Sequence, residues 1–324
     1  MRALIARLLR LRIVRAFLRY SERRGPMLAD SITYRALFSV FAAVLLGFSA
    51  AALWLGNNPD ALAALADSLN TVIPGLADIV DPTQVRANLG FSLVGAASLV
   101  GLVGAAISAI GSLRSALRIL ADELTDQTFI LWVLLRNLLV AIAFGGLLVL
   151  AVVASTVGAL WIPEVTGWLG LSGSPVAEWV TRGFGILVVF AIDTLAVVLV
   201  FRLLSGVRAS GRALWAGAAL GGVGLTVLQE LSGLFVRGAA SNPLLASFAA
   251  LIALLIWFNL SAQVILIASS YIITATEESR DRLRAKYGAS TLVQRRRQRA
   301  EDAVQAATRE LRDAQEAERA EREA

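Results

Sequence analysis

In an otherwise apolar chain, the side chains placed to do chemistry are two carboxylates, three amides and a set of arginines. Asp193 lies near the middle of the apolar run Gly183–Phe201, and Glu230 falls in the outer half of Ala213–Val236. A charge at mid-bilayer is expensive and by default marks a functional site. The chain has no histidine, Lys286 is its only lysine, and the arginines fall at or beyond the ends of the apolar runs. Asp193 is therefore either protonated, bonded to a hydroxyl or amide on the next helix, or turned toward a wet cavity. Gln229, Asn259 and Gln263 complete the intramembrane polar set. Such amides most often bond one helix to another, at about 0.6 kcal/mol each. Asn259 and Gln263, four residues apart, share one helical face.

The cationic set is Arg35, Arg114, Arg118, Arg136 and Arg202, at the ends of the apolar runs. A guanidinium binds phosphate through two parallel hydrogen bonds where lysine acts as a point charge, so this rim suits lipid headgroups. Arg114 and Arg118, four apart, are the best-placed pair. Orientation of the chain in the membrane accounts for the same residues without any ligand.

Other chemistries are excluded or disfavoured. Without cysteine or histidine the chain lacks thiolate chemistry and the commonest general base and zinc ligand. Its glycine stripes include no G-x-G-x-x-G after a strand. Asp193 and Glu230, on different helices and in opposite halves, form no evident acid–base pair. The expectation is a protein that is not an enzyme, with no cofactor and no metal.

The elements that must position these groups are membrane helices. The chain is 57% hydrophobic and 17% charged, outside the range of soluble domains. Crossing a bilayer takes about 20 apolar residues. Asn242–Thr276 contains no charged residue at all. With it, the runs near Ala36–Leu55, Phe91–Gly111, Leu138–Leu160, Gly183–Phe201 and Ala213–Val236 predict six spans. In the second, Ala97, Gly101, Ala105, Ser108 and Ser112 form a small-residue stripe, and in the fifth Ala218, Gly222 and Gln229 share a face. Residues 1–29 form a basic segment, read as an amphipathic helix on the anionic leaflet that Gly25-Pro26 ends, although its arginines show no clean face. The loop Asn57–Asn88 holds a short interfacial helix, and Trp161, Trp168 and Trp179 anchor another loop at the interface. Residues 277–324 form a charged helical tail in which Ala300, Val304, Ala307, Leu311 and Ala314 keep a 4-3 spacing, a weak coiled-coil signal. Arg-rich and Arg-poor loops alternate, which puts both termini in the cytoplasm. The fold expected is thus all-α and polytopic, with residues 30–276 as the membrane domain.

Ser31-Ile32-Thr33-Tyr34 with Phe38-Ser39, Gly101-Leu102-Val103-Gly104, Leu113-Arg114, Ala116-Leu117-Arg118, Trp215-Ala216-Gly217-Ala218, Val227-Leu228-Gln229, Trp257-Phe258-Asn259-Leu260 and Ala275-Thr276 occur in that order. In this order the chain resembles the YihY/virulence factor BrkB family of bacterial inner-membrane proteins, and within it the YhjD branch. Ala42 stands where that family usually has proline after the Phe-Ser pair. Members were once labelled ribonuclease BN, but that enzyme is a soluble metallohydrolase with histidine-rich zinc sites, which a chain lacking histidine and cysteine does not build. The branch is linked to export of lipopolysaccharide precursors. The resemblance thus implies an inner-membrane protein that moves or binds an anionic lipid or a lipid-linked envelope precursor. A non-transporting scaffold and a proton- or ion-coupled carrier are the alternatives. The partners expected are membrane lipids, and a second copy or an envelope-assembly protein at the tail. Nucleic acid is not among them.

Overall fold

The computed structural model describes residues 11–54, 93–122, 130–168, 175–239, 246–280 and 292–323. Among these, all regular structure is helical: α1 (Arg12–Glu22), α2 (Gly25–Trp54), α3 (Leu93–Leu120), α4 (Ile130–Trp168), α5 (Pro175–Leu204), α6 (Gly211–Ala239), α7 (Ala246–Arg280) and α8 (Leu292–Glu323). Long runs of Leu, Ala, Val and Ile make helices here because only a helix satisfies every backbone N–H and C=O within one hydrocarbon-embedded segment. Val100–Leu120, Trp179–Leu204, Gly211–Leu231 and Leu251–Ser279 are long and apolar enough to cross a membrane, and Leu131–Leu147 is a shorter apolar stretch. Large apolar side chains stand exposed on these helices, Trp179 at 73% and Val100 at 72%. A contiguous apolar exterior of this kind belongs in lipid. The interfacial helix expected within Asn57–Asn88 lies outside the described residues.

Helices α2 to α7 pack in sequence order, and α7 closes the circuit on α2. Helices α3, α5 and α7 also touch one another, forming an inner triangle with α2, α4 and α6 in its outer corners. The core gathers at one end of this bundle. Ile32 at the start of α2, Leu117 and Leu120 at the end of α3, Phe201 and Leu204 at the end of α5, and Ile272 and Ile273 late in α7 belong to one buried cluster.

Helix α6 is wedged between α5 and α7 by its glycines. A Cβ at Gly217 would lie 2.3 Å from Ile272 Cγ1, and one at Gly222 would lie 2.2 Å from Thr194 Oγ1. Gly222 was legible as part of a small-residue face, whereas the side of α6 facing α7 was not. In α3, by contrast, a Cβ at Gly101 or Gly104 would meet nothing within 4 Å among the described residues. Further along that stripe Ser108 and Ser112 bond to α2.

The N-terminal segment departs from expectation in two ways. Gly25-Pro26 begins α2 instead of ending α1, since proline lacks the N–H that a first helical turn leaves unused. The break falls one residue earlier, at Arg24, which has φ 55°. The arginines also do share a face. Arg12 and Arg15 bond to Glu278 at 2.9 and 2.7 Å. Arg19 reaches Glu277 at 2.5 Å, Asp122 at 3.2 Å and the carbonyl of Leu120 at 2.8 Å, and Arg23 pairs with Asp122. These arginines are bound to the protein's own carboxylates at the ends of α3 and α7. Burial raises the Asp122 carboxyl above its ordinary value, with Arg23 and Arg19 pulling it back. Helix α2 then runs unbroken through Ala42, without the kink a proline would introduce.

Tyr20 of α1 is 2% exposed and packs where a Cβ at Gly25 would fall. Its hydroxyl has no hydrogen-bond partner among the described residues. Burial, with the Asp30 carboxylate adding to it, pushes the phenol up to about 12. The folded state holds this proton more tightly than the unfolded chain does. Its stability is therefore undiminished below pH 10 and falls as pH rises from about 10 toward 12. Tyr20→Phe should stabilise the fold at neutral pH by about 1 kcal/mol and so raise the melting temperature, because it removes an unbonded buried hydroxyl. It should also flatten the alkaline loss. A lower melting temperature at pH 7 would show that the hydroxyl is bonded.

Candidate functional site

The intramembrane residues divide into three clusters, not one. On α5, Asp193 accepts hydrogen bonds from α6, through Thr226 Oγ1 at 3.2 Å and Gln229 Nε2 at 3.3 Å to Oδ1 and 3.2 Å to Oδ2. This is the arrangement in which a hydroxyl and an amide on the next helix hold the carboxyl. Thr226 escaped sequence reasoning because one hydroxyl in an apolar helix carries no signal; its i,i+3 spacing to Gln229 is the only hint.

Glu230 does not join Asp193. It points to the exposed side of α6 and meets Arg182 Nη2 at 3.4 Å. Arg182 belongs to helix α5 and supplies Glu230 with a partner across the α5–α6 seam.

Asn259 and Gln263 form a third group on the far side of α7. Gln263 Nε2 donates to Asn259 Oδ1 at 2.6 Å, and Asn259 Nδ2 donates to Asp30 Oδ1 of α2 at 2.7 Å. Asn259 therefore fastens α7 to α2, as interhelical amides commonly do, and Gln263 braces it from the next turn of α7.

The arginine rim is also rearranged. Arg114 is 4% exposed, so it sits in the packed end of the bundle and not on an open rim. Arg118, half-buried, lies 3.5 Å from the position of a Cβ on Gly206, in the α5–α6 connection. Both are turned inward because the face of α3 that carries them is the one packed in the core with Leu117. Arg136 and Arg202 remain exposed.

Arg35 occupies a cleft. It lies about 15 Å along α2 from Gly25 at 1.5 Å per residue. The cleft, of about 410 Å³, is lined by Ser31, Tyr34, Arg35, Phe38, Ala105 and Ser108 on the α2–α3 seam. Arg35 Nη1 donates to Ser108 Oγ at 3.0 Å, and Ser31 and Ser112 share a hydrogen bond of 3.1 Å one turn away. The Tyr34 and Phe38 rings meet edge to face at 4.9 Å. Tyr34 and Phe38 are exposed on the face of α2 opposite Ala29, Ile32 and Thr33, which are buried. The cleft thus opens sideways, away from the core. No carboxylate lines it, and Arg35 has no acidic partner among the described residues. The i,i+4 pairs Ser31/Arg35 and Ser108/Ser112 were the sequence signal for this seam, visible only once α2 and α3 are known to be antiparallel neighbours.

No group of three or more His, Cys, Asp or Glu side chains that could hold a metal occurs among the described residues. No solved structure matches the chain. The chain is 23% identical over 287 residues to the Inner membrane protein YhjD of Escherichia coli (strain K12), covering 85% of this chain and 83% of that protein. Residues 16–290 match the family described as Virulence factor BrkB. A helical bundle with a lipid-facing exterior, matched over most of its length, makes the chain a membrane protein belonging to the Virulence factor BrkB family.

Proposed function

We propose that this protein binds, and moves within the bilayer, an anionic lipid or lipid-linked envelope precursor, with the headgroup phosphate held at Arg35. The observation that carries the reading is the lateral cleft. A guanidinium on the lipid-exposed side of a bundle is costly unless an anion or interfacial water meets it. Ser31, Ser108 and the Tyr34 hydroxyl add neutral donors around it, while Phe38 offers an apolar wall for the first acyl carbons. The cleft shifts the reading from Arg114 and Arg118 to Arg35. We place the protein in the inner membrane, by analogy with its relative, with six spans and both termini cytoplasmic. We take it to be a non-enzyme without cofactor, and α8 to be the contact for a second copy or an assembly partner.

The experiment is photo-crosslinking of purified protein with anionic and zwitterionic lipid probes, comparing wild type with Arg35→Gln. Charge-assisted hydrogen bonds contribute about 1.5–3 kcal/mol. Anionic labelling should therefore fall roughly tenfold or more while zwitterionic labelling stays level. Equal labelling of both proteins would leave the scaffold reading ahead.

A further inference from the structure

We propose that Asp193, Thr194, Thr226 and Gln229 form a binding site for one monovalent cation, H⁺ or Na⁺, on the seam between α5 and α6. The inference is independent of the lipid reading of the α2–α3 cleft. It rests first on how the carboxylate is engaged. Thr226 donates to Oδ2 at 3.2 Å, and Gln229 Nε2 is shared between the two oxygens at 3.2–3.3 Å. Two donor groups do not fill the roughly four lone-pair sites of a carboxylate, so Asp193 has room for a further ligand.

The second observation is Thr194. It is 6% exposed, and its hydroxyl has no hydrogen-bond partner among the described residues. That oxygen lies 2.2 Å from the point a Cβ on Gly222 would occupy, one helical turn from Thr226 on the same seam. A buried, unbonded hydroxyl is expected to find a partner, and a bound ion or proton-linked rearrangement beside it would supply one. The seam then presents two carboxylate oxygens and two hydroxyls. An all-oxygen set suits a hard cation and not a soft transition metal.

The third observation is charge. On α5 the nearest ionisable residues to Asp193 are Arg182 and Arg202; on α6 the site is bracketed by Arg212 and Glu230. Helix α4 has none between Arg136 and Glu164, α3 has none before Arg114, and α7 presents Tyr271 alone before Glu277. Arg182 is held by Glu230. Asp193 lies about 16 Å from the end of α5, so no fixed cation is positioned to neutralise it. One negative charge calls for one positive charge, because a divalent ion would leave a net charge at mid-membrane.

Dicyclohexylcarbodiimide on the detergent-solubilised full chain tests this. A protonated carboxyl adds across the carbodiimide, its oxygen bonding to carbon and its proton passing to nitrogen, and the adduct rearranges to a stable N-acylurea that peptide mass spectrometry locates. Labelling of Asp193 should rise severalfold as pH falls. At fixed pH, sodium chloride should suppress it relative to choline chloride if Na⁺ is the occupant, and leave it unchanged if H⁺ alone binds. Thr194→Val and Thr226→Val should shift the pH midpoint or weaken sodium protection, with folding checked by melting temperature. Labelling of Asp193 that ignores both pH and sodium would overturn the proposal. So would its absence while exposed Glu230 is labelled.

Discussion

Gly222→Val should separate α5 from α6 and destabilise the bundle by about 3 kcal/mol, at the upper end of overpacking costs. Even alanine places a Cβ 2.2 Å from Thr194 Oγ1 and 3.2 Å from the backbone oxygen of Phe190. Neither neighbour yields freely, since one is a β-branched side chain in a helix and the other is backbone. Gly222→Ala should therefore cost about 1–3 kcal/mol. Adding Thr194→Ala removes the nearer clash and should restore part of that loss, a coupling a double-mutant cycle will register. Gly101→Ala, where nothing among the described residues lies within 4 Å, should be neutral or slightly stabilising. Unfolding in mixed micelles measures these variants together with the single Thr194→Ala that closes the cycle. Equal effects at Gly222 and Gly101 would contradict the α5–α6 packing described here.

Glu278→Lys should detach α1 from the bundle. Glu278 has 12% of its side chain exposed and holds both Arg12 and Arg15. Reversal puts a third cation beside two in a partly desolvated site, where losing a partner costs about 3 kcal/mol or more. Glu278→Gln should lose less. The measurement is the rate of tryptic cleavage after Arg19, which should rise sharply for Glu278→Lys. Arg12→Glu with Arg15→Glu in the Glu278→Lys background leaves that site intact and should slow its cleavage again. High salt should weaken the wild-type clasp, because its outer pairs are exposed to screening. Cleavage as slow as wild type in Glu278→Lys would show that Ala16 and Tyr20, the buried residues of α1, hold the helix unaided.

Much of this fold was legible because the bilayer restricts it. A chain with Asn242–Thr276 free of charge has few alternatives to a membrane helix. Trp161 and Trp179, expected in a loop, instead lie exposed within α4 and α5. The hydrogen-bonded state of Asp193 was one of two that follow from the cost of a mid-membrane charge. What one sequence leaves open is which faces meet. Glu230 and Gln229 are neighbours in the chain, yet they point to different sides of α6, one to Arg182 and the other to Asp193. Arg114 carries the same charge as Arg35, and only packing decides that one is buried and the other lines a cleft. The face of α1 was missed for a related reason. Its arginine spacing of 12, 15, 19 and 23 is helical, but the carboxylates that define it lie more than a hundred residues away, at Asp122, and further still at Glu277 and Glu278.

The most direct test of the central claim is where an anionic lipid attaches. Photo-adducts of an anionic lipid probe on the wild-type protein in native-like bilayers should map to the peptides holding Ser31–Phe38 and Ala105–Ser108, the walls of the cleft around Arg35. They should exceed those of a matched zwitterionic probe about tenfold. Adducts spread evenly over the lipid-facing helices, with no preference for the anionic headgroup, would contradict the account.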